Sequence, residues 1–509
     1  MSNTGRRWRS TSSIASSPTP SSPSSSRGPR AAPLPQWKFS QVLGELPPTA
    51  GDQLNRVLQD DDEVSALEFD GRGEHLAAGD YAGRVIIFRR TDEDDTRLRS
   101  ELEPTDHAGA PPPRYSFATE FQSHEMEFDA LHSLEICEQI KKLRWCARPN
   151  SALLMLATND RTIKLWKVSK HKPKKRKDIQ PRRATPALSA SLVDRSEKGG
   201  DAGDGYSAKC RKVFGRAHRY NINSISNNCD GETFVSADDL RINLWHLEVT
   251  SQCFNIVDMK PAVMEDLVEV ITAAEFHPSS CSTLAYGSSS GVVRLVDLRR
   301  SALCDQNARI FRDRENRLQQ KTFFTEIVSC ITDLKFTGDG KYLLTRDYMN
   351  LKLWDLRKES SPVVTYKVHE FLRPKLSELY TDDHIFDRFS CCASKDGTYF
   401  ATGSYSNTFK IFSLAAADTS GTTLEASTNP YRHAELTQTY RPSKGSGLLN
   451  NFARGNNRKV FAGQDGLRPT GNKDEIPCNM ASKVTHIAWH PTEDFIICAA
   501  KNSLYMYHT

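Results

Sequence analysis

Short apolar segments separated by turns recur along the chain in sets of three. In each set the first segment alternates apolar and polar residues, the second is rich in small residues, and the third alternates again up to a closing aromatic or apolar residue. Such alternation is typical of half-buried β-strands, and the Asp-Gly, Asn and Ser positions between segments are typical of tight turns. Seven sets occupy residues 64–88, 140–166, 222–245, 271–299, 331–357, 389–412 and 484–507.

The sevenfold recurrence predicts one repeat architecture rather than a series of unrelated domains. The sets resemble WD repeats, whose four-stranded blades close into a propeller. Trp354 and Asp355 form the Trp-Asp dipeptide, and His218 follows Ala217 where such repeats carry Gly-His. The resemblance implies an all-β fold, a seven-bladed WD-repeat β-propeller. The last set has three strands, so we expect residues 36–45, "QWKFSQVLGE", to pair with it and close the ring.

Segments outside this pattern define the remaining organisation. Residues 1–35 are dominated by Ser, Pro and Arg, a composition that buries too little apolar surface to fold, so we expect a disordered tail. Residues 36–509 are expected to form the propeller. Trp166 and Trp245 lie 245 − 166 = 79 positions apart, against roughly 40 to 45 per blade. Excess length of this kind predicts three insertions. One lies between the first two sets, one spans residues 169–212, and one is a long loop at residues 415–482.

The insertion at residues 169–212 contains a dense basic run, "SKHKPKKRKDIQPRR". At its centre, Lys174, Lys175, Arg176 and Lys177 follow a proline. Three interpretations are open: a solvated flexible loop, a nuclear-import peptide, or an arm that docks on an acidic partner.

Composition and charge exclude several classes of protein. Among 509 residues, the 68 Lys and Arg exceed the 63 Asp and Glu by five, a balance that does not favour a nucleic-acid binder. The twelve cysteines include no C-x-x-C pair, so we predict neither a zinc knuckle nor a disulfide framework, and a reducing compartment, cytoplasmic or also nuclear, fits. No stretch reaches the roughly 18 apolar residues of a membrane span, and the N-terminus has no apolar signal segment. We therefore expect a protein that is neither secreted nor membrane-bound.

The chain carries no motif typical of catalysis. It has no G-x-S-x-G, no Walker A loop, no H-E-x-x-H and no G-D-x-H-G. Its two Gly-Asp-Gly triplets are typical of turns or loops, and His277 and His490 precede prolines where turns begin. We therefore expect no enzymatic activity, no cofactor and no metal site.

Carboxylates cluster before and within the first three sets. Asp60 belongs to a "DDDE" run before the first set, and Asp129 precedes the second. Asp238 and Asp239 lie in the turn between the second and third strands of the third set. Together these side chains predict an acidic field at one rim of the propeller, which would attract basic peptides.

The two adjacent aspartates are expected to differ. Asp239 lies six positions before Trp245, as Asp160 does before the tryptophan of the second set. WD repeats often place a buried aspartate there to hold the turn together with a histidine, here His218. This predicts a structural role for Asp160 and either a structural or a groove role for Asp239. Asp238 is expected to offer its charge to a basic substrate segment.

Three segments resemble one family more specifically, the WD-repeat regulatory B subunits of protein phosphatase 2A. They are "FQSHEMEFDALHSLEICEQIKKLRW", "RAHRYNINSISNNCDGETFVSADDLRINLWHLE" and "TRDYMNLKLWDLR". The resemblance implies a non-catalytic subunit that binds the phosphatase scaffold and catalytic subunits. It also implies an acidic groove on the upper face that selects phosphoprotein substrates. The matching groove positions are Asp60, Asp129, Tyr220, Asp238, Asp239 and Leu267.

In this family a β-hairpin arm from the second blade grips the scaffold. The resemblance places that arm in residues 169–212 and makes its central basic residues candidate scaffold contacts, namely Lys174, Lys175, Arg176 and Lys177. Two other interpretations stay open. One is a WD-repeat substrate receptor or scaffold for another complex, such as a ubiquitin ligase. The other is a phosphatase in its own right, which would need the metal-binding motif that the sequence lacks.

Overall fold

A computed structural model describes residues 35–44, 63–91, 114–131, 133–147, 153–170, 206–313, 322–415, 419–427 and 478–509. Residues 35–509 form one compact unit. Residues 1–34 of the predicted N-terminal tail, Asp60 and the basic run Lys174, Lys175, Arg176 and Lys177 all lie outside the described residues.

Thirty strands account for most of the described chain, and all but two of them belong to four-stranded antiparallel sheets. In chain order the first eleven are β1 (Lys38–Leu43), β2 (Val64–Phe69), β3 (His75–Asp80), β4 (Arg84–Thr91), β5 (Arg114–Gln122), β6 (Glu127–Asp129), β7 (Leu134–Ile136), β8 (Lys142–Cys146), β9 (Leu153–Thr158), β10 (Ile163–Lys170) and β11 (Tyr206–Phe214). The next eight are β12 (Ser224–Asn227), β13 (Thr233–Ala237), β14 (Arg241–His246), β15 (Val249–Asp258), β16 (Ile271–Phe276), β17 (Thr283–Ser288), β18 (Val293–Asp297) and β19 (Arg309–Phe311).

The remaining strands complete the last three blades. They are β20 (Asp333–Phe336), β21 (Tyr342–Arg346), β22 (Asn350–Asp355), β23 (Val364–Lys367), β24 (Cys391–Ala393), β25 (Tyr399–Gly403), β26 (Thr408–Ser413), β27 (Thr422–Glu425), β28 (Val484–Trp489), β29 (Phe495–Ala500) and β30 (Ser503–His508). Two short α-helices are described, α1 (Phe323–Val328) and α2 (Leu376–Thr381), with 3-10 turns at Met264–Asp266, Asp305–Asn307, Glu370–Lys375 and His384–Phe386. None of the described helices is both long enough and apolar enough to cross a bilayer.

Seven four-stranded sheets form the blades, which confirms the predicted propeller. Blade 1 is β2–β5, blade 2 is β8–β11, blades 3 to 6 are β12–β15, β16–β19, β20–β23 and β24–β27, and blade 7 is β28–β30 together with β1. The N-terminal strand pairs antiparallel with the last strand, and Leu43 lies opposite Leu504. The predicted closure of the ring is therefore confirmed. Trp37, only 4% exposed, packs edge-on against Trp489 with ring centroids 5.3 Å apart.

The fourth strands were not visible as part of the repeat, and the structure locates them. The outer strand of blade 6, β27, lies within residues 415–482, so this segment is not a continuous loop. In blade 2, β10 and β11 pair as far as Lys170 opposite Tyr206. These residues form the base of the predicted arm, whose remaining residues lie outside the described chain. A two-stranded hairpin, β6–β7, stands between blades 1 and 2.

The hydrophobic core lies between neighbouring blades. One cluster joins Val235 and Ile242 of blade 3 to Ile271 and Tyr286 of blade 4. Backbone hydrogen bonds also join neighbouring blades. At the start of an inner strand, a backbone amide donates to a carbonyl in the turn after the second strand of the preceding blade. The amide of Ile271 thus donates to Asp239 O at 2.7 Å.

These bonds define the two faces of the ring. The turns between second and third strands and the connections from one blade to the next emerge together, and we call this side the upper face. The turns between first and second strands and those between third and fourth strands emerge on the opposite side, the lower face.

Candidate functional site

The turn between β13 and β14 of blade 3 is built on a buried chain of hydrogen bonds. Trp245 Nε1 donates to Ser236 Oγ at 2.8 Å, and Ser236 Oγ lies 2.6 Å from His218 Nε2. His218 Nδ1 lies 2.8 Å from Asp238 Oδ2. Asp238 Oδ1 in turn accepts from the amides of Leu240 and Arg241 at 2.8 and 2.7 Å. Each polar group in this chain has a hydrogen-bond partner. The network therefore holds both the β13–β14 turn and the connection that carries His218 from blade 2 into blade 3.

The aspartate that holds the turn is therefore Asp238, not Asp239. Asp238 is 1% exposed, so the prediction that it offers its charge to a substrate is wrong. The physical reason is spacing. A carboxylate seven positions before the tryptophan can cap the amides two and three residues further on, whereas the next residue turns away toward the channel.

Two other blades show the same spacing. Asn159 Oδ1 accepts from the amides of Arg161 and Thr162 at 3.0 and 2.8 Å, and Asp347 Oδ1 accepts from Met349 and Asn350 at 2.9 and 2.6 Å. Asn159, not Asp160, thus holds the turn of blade 2, which corrects the role predicted for Asp160. Counting back seven positions from each tryptophan would have found these residues from the sequence.

Asp239 is the aspartate that faces solvent. It is partly exposed and makes no salt bridge with any residue in the described ranges. Burial raises the pKa of the Asp239 carboxyl, and the adjacent Asp238 charge raises it further, while the Arg388 and Arg161 guanidinium groups oppose the change. A carboxylate placed here gains from an approaching cation, because no cationic side chain of the described ranges forms a salt bridge with it.

The other described groove candidates also emerge on the upper face. Asp129 ends β6, and its Oδ1 accepts from the amide of Leu131 at 3.0 Å. Tyr220, 39% exposed, lies in the connection from blade 2 to blade 3. Leu267 follows the 3-10 turn between blades 3 and 4 and is partly buried. Topology therefore places Asp129, Tyr220, Leu267 and Asp239 on one face.

A cavity of about 540 Å³ lies at the upper end of the channel. Of the predicted groove residues that the structure describes, only Asp239 lines it. The lining carries both signs of charge, with five carboxylates and four Lys or Arg side chains: Glu63, Asp160, Asp239, Asp333, Asp387, Lys141, Lys142, Arg388 and Lys483. Lys141 lies 3.3 Å from Asp160, and Lys483 lies 2.6 Å from Asp387. The described lining of the cavity is thus of mixed charge, and the acidic field expected from the carboxylates of the first three blades stays a prediction.

Below the cavity, charged side chains of the inner strands cross the channel. Arg144 of blade 2 binds Glu68 of blade 1, lies 3.5 Å from Glu275 of blade 4, and donates from Nε to Ile225 O of blade 3 at 3.1 Å. Lys335 of blade 5 lies 2.7 Å from Glu275. Burial raises the pKa of Glu68, although Arg144 opposes the effect. This network joins five blades around the axis.

Exposed apolar side chains on the upper face were missed by sequence reasoning. Phe128 and Leu131 on and beside β6 are 65% and 92% exposed, and Val268, next to Leu267, is 88% exposed. Exposed apolar groups next to polar ones are typical of protein-binding surfaces. Their signal in the sequence is weak, because they lie in connections where no repeat predicts which way a side chain points.

One group of side chains in the described chain could hold a metal ion, Asp70, Glu74 and His75. Asp70 accepts from the amide of His75 at 3.1 Å and from its ring at 3.3 Å. These bonds close the turn between β2 and β3, so the carboxylate is already engaged and the arrangement is that of a turn.

Comparisons with known proteins agree with this architecture. The family model for the WD domain, G-beta repeat, matches residues 208–246 and 379–413. The chain is 47% identical over 521 residues to the alpha isoform of the 55 kDa regulatory B subunit of serine/threonine protein phosphatase 2A from Oryza sativa subsp. japonica, covering 95% of this chain and 87% of that protein. It is also 47% identical over 505 residues to the beta isoform from Arabidopsis thaliana, covering 93% of this chain and 97% of that protein. This chain therefore belongs to the family of 55 kDa regulatory B subunits of serine/threonine protein phosphatase 2A.

Proposed function

We propose that this chain is a non-catalytic subunit of a heterotrimeric serine/threonine phosphatase of the 2A type, and that it binds the scaffold A subunit and the catalytic C subunit. The observation that carries the proposal is the identity of 47% with named regulatory subunits across more than nine-tenths of the chain. A rigid ring with turns on two faces suits such a role, because one surface can bind the enzyme core while another stays free for substrates.

The substrate surface in this proposal is the upper face around Asp239. Its carboxylate, with that of Asp129, favours basic segments of phosphoproteins, because fixed charges on a surface speed the encounter with opposite charges. Tyr220, Leu267 and the exposed Phe128 supply apolar contact. Asp238 acts here only by positioning Asp239, since its own carboxylate is enclosed.

Arg388 at the cavity sharpens the specificity of this surface, whereas Lys141 is already paired with Asp160. Like charges repel, so a basic side chain that binds Asp239 is kept away from the Arg388 guanidinium, which acts on the same carboxyl. Basic side chains spaced to reach Asp239 and Asp129 are therefore favoured over an evenly basic tract.

The scaffold contact is proposed for the arm whose base is β10 and β11. Its basic residues, Lys174, Lys175, Arg176 and Lys177, suit an acidic surface on the scaffold. Association in the cytoplasm, and also in the nucleus, is part of this proposal.

Affinity purification of the full chain from cells tests the proposal. We expect mass spectrometry to recover a helical-repeat scaffold and a phosphatase catalytic subunit in near-equal amounts with the bait. A variant with Lys174, Lys175, Arg176 and Lys177 changed to Glu should recover less of both. Recovery of ubiquitin-ligase subunits with neither phosphatase subunit would overturn the proposal.

A further inference from the structure

Two exposed cysteines meet on the lower face. Cys229 lies in the turn between β12 and β13 of blade 3, and Cys281 lies in the turn between β16 and β17 of blade 4. Both are exposed and free, and their Sγ atoms are 2.7 Å apart. A disulfide bond is about 2.05 Å long, so a movement of less than an ångström would bring the sulfurs into bonding distance.

The two turns are held in place by a shared side chain. Asn228 Oδ1 accepts from the amide of Cys229 at 2.8 Å, and Asn228 Nδ2 donates to Cys281 O at 2.9 Å. Asn228 is 8% exposed, so its amide is a buried clamp between the cysteines. The closeness of the sulfurs therefore comes from packing between blades.

Each turn is also closed by its own hydrogen bonds. Asp230 Oδ1 accepts from the amides of Glu232 and Thr233 at 2.8 and 2.9 Å. His277 Nδ1 accepts from the amides of Ser279 and Ser280 at 3.2 and 3.1 Å. Because both turns are rigid, little conformational freedom is lost when the sulfurs bond.

We propose that Cys229 and Cys281 form a redox-responsive dithiol that a hydroperoxide converts into a disulfide between blades 3 and 4. One cysteine loses its proton and its thiolate sulfur attacks the peroxide oxygen: the S–O bond forms, the O–O bond breaks, and the alcohol, or water from hydrogen peroxide, leaves with that proton. The sulfur of the second cysteine then attacks the sulfenic sulfur: the S–S bond forms, the S–O bond breaks, and the hydroxide leaves as water with the second thiol's proton. In total the pair gives two electrons and two protons to the peroxide, and an external dithiol reverses the step.

The reduced pair is the resting state in a reducing compartment. Partial burial and the contact with Cys281 raise the pKa of the Cys229 thiol to about 11, so this thiol is protonated at neutral pH. This pair is distinguished by the short distance between its two sulfur atoms, not by a low thiol pKa. Formation of the disulfide would close a loop between positions 52 apart and add a covalent link on the lower face between two blades that the chain connects on the upper face.

Oxidation of the full-length chain tests this inference. The reduced protein is treated with hydrogen peroxide, the remaining thiols are alkylated, and fragmentation mass spectrometry locates any cross-link. We expect a peptide pair linked through Cys229 and Cys281, loss of two alkylatable thiols per chain, and reversal by dithiothreitol. The thermal midpoint should also rise on oxidation.

Matched variants decide the outcome. Cys229→Ser should abolish the cross-link and the rise in midpoint, while Cys137→Ser, at an exposed cysteine elsewhere, should change neither. If the wild-type chain gives sulfinic acid at either cysteine, or retains both thiols, without a Cys229–Cys281 cross-link, the inference is wrong.

Discussion

His218 Nδ1 and Asp238 Oδ2 lie 2.8 Å apart, and each of the two side chains is only 2% exposed. Replacement of Asp238 by Ala would leave this histidine and two turn amides without their acceptor. Removing one partner of a buried pair costs about 3 kcal/mol, and we expect a loss of that size in the free energy of unfolding, measured by urea denaturation.

Asp239→Ala is the matched control in the same turn. Its carboxyl has a raised pKa in the folded chain, so its ionised form is less favourable there than in the unfolded chain. Asp239→Ala should therefore lower the free energy of unfolding by no more than about 0.5 kcal/mol, or raise it slightly. Equal losses for the two variants would contradict the assignment.

The sequence was sufficient to predict the ring but not the exact roles within one turn. The recurrence of short apolar segments and turn residues identified three strands per blade, because those strands pack against the neighbouring blades. The outer strand β27 has only four residues and follows no repeat. Asp238 and Asp239 are adjacent in the chain, and only the reach of a carboxylate to the amides of Leu240 and Arg241 distinguishes them. The side chains of the upper-face connections are oriented by local contacts that periodicity does not encode.

Ring closure should depend on Trp37. Its indole is buried against Trp489 at the join between the N-terminal strand and blade 7. Trp37→Ala should lower the free energy of unfolding by about 3 to 5 kcal/mol, whereas Lys38→Ala, at the exposed neighbouring position, should change it by less than about 0.5 kcal/mol. Thermal unfolding with limited proteolysis of the N-terminal segment measures both. A Trp37→Ala ring as stable and as protease-resistant as the Lys38→Ala ring would show that closure does not depend on this contact.

The ion pairs that cross the channel, formed by Arg144, Glu68, Glu275 and Lys335, should contribute to the stability of the ring. Single and double substitutions among them should lower it by different amounts. Arg144→Ala leaves the partly buried Glu68 and Glu275 without their shared cation, and we expect a cost of about 3 kcal/mol. Arg144→Met combined with Glu68→Leu removes one of the uncompensated charges and should be milder than Arg144→Ala. Denaturant unfolding of the wild type and both variants gives the comparison. A double variant less stable than the single one would exclude charge compensation as the main role of Arg144.

Acid should destabilise the ring partly through His124. Its Nε2 lies 3.1 Å from Thr162 O, its Nδ1 lies 3.1 Å from Ser123 Oγ, and its side chain is enclosed. Burial, helped by the Lys164 charge, lowers the pKa of His124 to about 3. The unfolded chain takes up this proton near about pH 6.5, so the free energy of unfolding falls as pH drops below that value, until the folded state also binds the proton near pH 3.

The slope from one such histidine reaches about 1.4 kcal/mol per pH unit. We expect urea denaturation between about pH 6.5 and about pH 4 to show a shallower pH dependence for His124→Gln than for the wild type. The two slopes are compared rather than the absolute stabilities, since the substitution also changes packing. Identical slopes would mean that His124 does not contribute.

In the proposed function, the upper face around Asp239 selects substrates for a phosphatase trimer. The most direct measurement is the rate at which the reconstituted trimer dephosphorylates a phosphoprotein that carries a basic segment. The comparison is between Asp239→Lys and Glu232→Lys, because Glu232 is an exposed residue in the lower-face turn of the same blade. We predict that Asp239→Lys lowers the rate severalfold at low substrate concentration while the trimer assembles normally, and that Glu232→Lys has no effect. Unchanged rates for Asp239→Lys, or equal losses for both variants, would contradict the claim.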